Sequence, residues 1–201
     1  WLSAHSGTYH YIFTVPVAVG AIILGPTAGA ICGGAFGLTS AIMALTGGSA
    51  FSAALLQINP FGLLFTVLVP RILEGWLCGL IFAALKKVFK NGAFIIASLA
   101  CPLLNTLLFM SSLVMFFFNT DYIQNIASGL GTSNPLFFVI LFVGVQGAIE
   151  AIACTIIGSA VSRALAAALK TIINITCKYI FPGSFVREKY YTKIYKEICL
   201  L

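Results

Sequence analysis

Val69-Pro70-Arg71-Ile72-Leu73-Glu74-Gly75-Trp76-Leu77-Cys78-Gly79 sets an arginine and a glutamate inside an apolar run that begins near Phe61 and meets no further charge until Lys86. A run of that length reads as a membrane span, because a helix rising about 1.5 Å per residue needs about 20 apolar residues to cross the hydrocarbon. Both charges then lie at membrane depth. An isolated ionised side chain there costs roughly 3 kcal/mol or more, so such residues face a partner or a wet cavity. Three residues apart on a helix, Arg71 and Glu74 share one side and can also neutralise each other.

Outward from this stretch the chain keeps the same character. Its residues are 60% hydrophobic and 8% charged, where a soluble domain has about a quarter charged. Residues 1–70 hold no Asp, Glu, Lys or Arg, and only His5 and His10 as basic groups. Long apolar runs and 19 glycines indicate packed helices rather than the alternating pattern of a membrane barrel. The expected fold is an all-α integral membrane bundle. Six cysteines suggest a disulfide framework, but Cys32, Cys78, Cys101 and Cys154 fall within apolar spans and read as small free-thiol side chains.

In order, the first span covers about Tyr11 to Leu24, after a polar, aromatic segment, and Gly25-Pro26 marks a turn. The second covers about Thr27 to Leu45, where Gly29, Gly33 and Gly37 recur every four residues as a helix-packing seam. Residues 46–60 read as a loop that dips back toward the membrane. The third span is Phe61 to Leu85, in which Pro70 frees a backbone carbonyl near Thr66. Lys86, Lys87 and Lys90 follow, then a fourth span from about Ala93 to Phe118. Next come a polar loop over 119–134 and a fifth span from Pro135 to about Ala168. Residues 1–170 thus form the transmembrane bundle. Residues 171–201 form a basic tail in which Val186, Tyr190, Ile194 and Ile198 recur at helical spacing, as in an interfacial helix on anionic lipid. Basic loop 86–92 and the tail mark the cytoplasmic side of a plasma membrane, leaving loops 46–60 and 119–134 outside.

Counting rise from the outer ends, Arg71 lies about 15 Å down, Glu74 about 20 Å, Gln146 about 17 Å, Glu150 about 22 Å and Asn105 about 20 Å. Three spans therefore bring polar groups to a similar depth, and they should converge inside the bundle. In one arrangement they pair structurally, Arg71 with Glu150 or Glu74, and Asn105 with a carbonyl freed by Pro70 or Pro102. In the other they line a solute cavity open to the outside, with Arg71 offered to a carboxylate or phosphate. Catalytic signals are missing: no phosphate loop ending in Gly-Lys-Ser/Thr, no His-Glu-x-x-His, no Gly-x-Ser-x-Gly. His5 and His10 are too few for a metal site. The net charge of +6 sits on the inner face and tail, which suits lipid or a protein partner and not nucleic acid.

Val15-Pro16-Val17 through Leu24-Gly25-Pro26, then Gly29, Gly33 and Phe36-Gly37-Leu38-Thr39-Ser40, Pro70-Arg71-Ile72-Leu73-Glu74-Gly75, Asn105-Thr106 and Glu150-Ala151-Ile152 resemble the substrate-binding S component of energy-coupling factor vitamin transporters. They are most similar to its pantothenate group. The resemblance implies a six-helix membrane protein, which the five spans read here fit if the family's first helix is absent from this chain. It implies a pocket near the outer face for a small-molecule vitamin, and delivery by toppling within the bilayer. The implied partners are a transmembrane coupling protein and two cytoplasmic ATPases. No cofactor is expected in this chain; ATP and magnesium belong to the partner ATPases, and the chain itself is not an enzyme. By the same resemblance, Arg71 binds the pantothenate carboxylate and Asn105 its amide or hydroxyl groups, with Glu74, Gln146 and Glu150 holding Arg71 in place. Riboflavin or a thiamin precursor is the alternative substrate. A stand-alone secondary carrier with Glu74 or Glu150 as proton site is the alternative mechanism.

Overall fold

The computed structural model describes the backbone over residues 4–48, 50–89 and 92–180, and side chains over 14–48, 51–89, 92–144 and 147–172. Seven helices follow in order: α1 Ala4–Leu24, α2 Pro26–Leu45, α3 Ala50–Ile58, α4 Pro60–Lys86, α5 Gly92–Phe117, α6 Asp121–Gly129 and α7 Pro135–Ile180. There is no strand among the described residues. The expected all-α membrane bundle is what the chain forms. Helices α2, α4, α5 and the Gly147–Ile172 part of α7 are each long and apolar enough to cross a membrane.

The ends of these helices follow from their local sequence. Gly25 breaks α1 from α2 at φ 93°, a backbone conformation that costs a side-chain-bearing residue but not glycine. Asn59 caps α4 by accepting the Gly62 amide at 2.9 Å. Pro60 follows at the first turn, where its missing N–H costs nothing. Asn134 and Pro135 repeat the device at the start of α7, with Asn134 accepting the Leu136 amide at 3.0 Å.

Three segments differ from the sequence reading. The expected loop over 46–60 contains α3, whose Leu55 is fully buried, and the polar loop over 119–134 contains α6, which buries Ile123 and Ala127. Both short helices lay an apolar face on the end of the bundle while their polar residues point away, which loop-like composition conceals. The expected single fifth span is also broken: Gly144, at φ 45° and ψ −143°, separates a short Pro135–Gly144 segment from the long remainder. That remainder stays helical past position 170 to Ile180. The tail positions Val186, Tyr190, Ile194 and Ile198 lie outside the described residues, as does Lys90.

The closest packing is between α2 and α4, which run antiparallel. A Cβ on Gly33 would stand 2.0 Å from the Arg71 carbonyl oxygen, one on Gly29 2.3 Å from that of Gly75, and one on Gly37 2.9 Å from that of Val67. Each step of four back along α2 meets a step of four forward along α4, so the glycines admit one backbone against the other. Arg71 is thereby anchored through its own main chain.

Apolar side chains fill two clusters along the bundle. One gathers Leu55, Leu63, Val67, Leu113, Phe117, Ile123 and Phe138 at the end where α3 and α6 lie. The other gathers Val17, Ala21, Phe36, Cys78, Phe82, Ala97 and Cys101 toward the Lys86 end. On α4, Arg71 and Glu74 fall between Val67 and Cys78; on α5, Asn105 falls between Cys101 and Met110. The polar residues therefore form a layer between two apolar cores.

Candidate functional site

Arg71 is 3% exposed, Glu74 0% and Asn105 7%, and Glu150 is half-buried. The structure brings α4, α5 and α7 together at these residues. Arg71 and Glu74 act on each other electrostatically, and Glu150 acts on both. The Gln146 side chain lies outside the described residues.

The guanidinium of Arg71 is held from several sides. Its Nη1 donates to the Thr66 carbonyl at 3.5 Å. This is the carbonyl that Pro70 leaves without its helical amide. Its plane lies over the Phe109 ring at 4.4 Å and the Phe36 ring at 5.4 Å, an arrangement that stabilises a cation in a dry setting. Glu74 accepts from the Cys101 thiol at 3.1 Å through Oε1. Glu150 takes a hydrogen bond from Thr14 of α1.

Each of these groups retains an atom with no partner in the protein: Arg71 Nε, Glu74 Oε2, Asn105 Oδ1 and Glu150 Oε1. Some helix hydroxyls solve the same problem locally, as Thr66 does by donating to the Gly62 carbonyl at 2.8 Å, while those of Ser98 and Ser162, outside this layer, have no partner. A buried unsatisfied polar group costs about 1–3 kcal/mol, so each of the four favours a ligand that partners it. A small molecule presenting one acceptor and three donors would complete the set.

Thr14 and Cys101 were not among the residues singled out from sequence. Thr14 is the polar residue of an apolar span, and Cys101 lies one turn before Asn105 on the same face of α5. Those placements were the available signals. Cys101, read there as a small apolar side chain, instead donates to a carboxylate. Cys32, Cys78, Cys101 and Cys154 are free thiols, and no group of metal-ligating side chains occurs among the described residues.

The family model described as "ECF transporter, substrate-specific component" matches residues 10–162. The chain belongs to that family. No curated protein and no solved structure matches it. ECF substrate-specific components are substrate-binding transport subunits and not enzymes, and they work with an energy-coupling module. With its four long apolar helices, this component is a multi-pass membrane protein. The match spans α1 to α7 and includes every residue of the polar layer.

Proposed function

We propose that this component captures a vitamin, with pantothenate the favoured substrate, in the polar layer between its two apolar cores. It then hands the vitamin on for uptake powered by ATP hydrolysis in a partner module. The observation that carries the reading is the set of four partnerless buried atoms, three acceptors and one donor, contributed by three helices. Pantothenate has the complementary inventory: a carboxylate for Arg71, and two hydroxyls and an amide N–H for Asn105, Glu74 and Glu150. Its branched carbon skeleton suits the Phe36 and Phe109 rings beside the guanidinium. The coupling partners in this reading are a transmembrane protein and two cytoplasmic ATPases, which would bind the ATP and magnesium. The α3 and α6 end faces outward, because Lys86 and Lys87 mark the other end as cytoplasmic.

One observation favours a second substrate class. Two carboxylates face one guanidinium, which suits a ligand with an amine, such as the aminopyrimidine precursor of thiamin. Calorimetric titration of the detergent-solubilised protein with pantothenate and with that aminopyrimidine decides between them. Tight binding of pantothenate upholds the reading. Binding of the aminopyrimidine alone transfers the site to the amine class.

A further inference from the structure

We propose that Glu150 takes up a proton as the carboxylate of the substrate arrives, so that capture of the anionic vitamin is linked to pH. The inference rests on the reading that the site receives a carboxylate.

Its basis is the arrangement of charge in the polar layer. Arg71 is the one cation among the described side chains of that layer, and Glu74 and Glu150 are two acids. The other groups facing them do not compensate. Helix α4 contributes Cys78, α5 contributes Cys101 and Asn105, α7 contributes Cys154, and α1 contributes Thr14. Helix α2 brings Phe36 and its glycines. Lys86 lies at the far end of α4, and the His10 side chain is outside the described residues. With both acids ionised the layer carries one surplus negative charge. A substrate carboxylate would add a second, in a setting where apolar cores above and below screen little.

The two acids are not equivalent. Glu74 sits on the same helix as Arg71, three residues on, fully buried and hydrogen-bonded by Cys101. Glu150 comes from another helix and is only half-buried, so its side chain lies nearer to water than that of Glu74, although each acid keeps one buried oxygen without a partner. The step balances simply. A proton from bulk water adds to the Glu150 carboxylate, the anion binds, and the net charge of the layer is unchanged. The protonated Glu150 then meets a substrate hydroxyl, which can accept as well as donate, while Arg71 Nε–H donates to the carboxylate, so a repelling charge becomes a neutral partner.

The test is titration of the detergent-solubilised protein with pantothenate in buffers of different ionisation enthalpy, repeated across pH. The wild type should take up about one proton per ligand, with affinity falling by up to about tenfold per pH unit once Glu150 is ionised. Glu150→Gln should bind with almost no proton uptake and a flat pH profile, and Glu74→Gln should keep the uptake. Tight pantothenate binding without proton uptake in the wild type overturns the proposal, as does unchanged uptake in Glu150→Gln. Failure of the folded wild type to bind pantothenate at any pH overturns the anionic-substrate reading itself, and the linkage with it.

Discussion

At the scale of the residue, Arg71 matters because its surroundings leave one of its donors in need of a ligand. Thr66 takes Nη1 and two rings cover the plane, while Nε has no partner. Lysine carries the same charge but cannot supply a planar fork to a carboxylate. Arg71→Lys is therefore expected to weaken pantothenate binding by roughly 2–5 kcal/mol, on the order of 30- to 3000-fold, with the melting temperature little changed. Asn105→Ala removes one neutral acceptor and should cost about 1–3 kcal/mol. Titration calorimetry on the purified variants reads both, and an Arg71→Lys variant that binds as tightly as the wild type would mean that Arg71 holds no carboxylate in a planar fork. Arg71, Glu74, Asn105 and Glu150 could be read from sequence because polar residues at membrane depth are costly wherever they occur. Their pairing could not, since spacing gives depth along a helix and not rotation about it. Thr14 escaped because a single hydroxyl in an apolar helix can be satisfied by its own backbone and so signals no partner on another helix.

At the scale of the element, the seam between α2 and α4 converts three glycines into the position of one arginine. A methyl group on Gly33 would meet the Arg71 carbonyl itself, and a backbone atom cannot swing aside as a flexible side chain can. Overpacking a core ordinarily costs about 1–3 kcal/mol, so Gly33→Ala should cost at least that and displace Arg71 as well. A thermal melt in detergent should show the loss, and pantothenate affinity should fall with it. Gly34→Ala is the control, because its added methyl would meet only the Ile72 side chain at 3.6 Å. The main spans were legible to within a few residues, since their apolar runs are long and their breaks carry Gly-Pro, Asn-Pro or lysines. The two short helices and the break at Gly144 were not. Nine residues with an apolar face between serines and glycines resemble a loop in composition, and a single glycine within a long apolar run gives no warning of a positive φ.

At the scale of the whole molecule, the polar layer is closed at one end by α3, α6 and the short segment at the start of α7. There Phe51 stands 5.8 Å from Phe142 and 6.1 Å from Tyr122, ring centre to ring centre. The expected route for a substrate arriving from that side passes between these rings. Three of the positive-φ glycines, Gly47, Gly131 and Gly144, stand where the closing elements join the rest. They are points at which the backbone can turn with little steric resistance. The expectation is that the closing elements move as substrate enters. Cysteines placed at Phe51 and Phe142 in a background without native thiols, joined by a short bis-maleimide, would hold α3 to α7. Pantothenate bound before the link is made should then be retained, and pantothenate added afterwards should be excluded. Free exchange in the linked protein would instead place the route between the long helices, leaving the aromatic contacts to structure alone. Exclusion would mean that the end remote from the lysines admits the substrate, the direction that the positive-inside rule predicts.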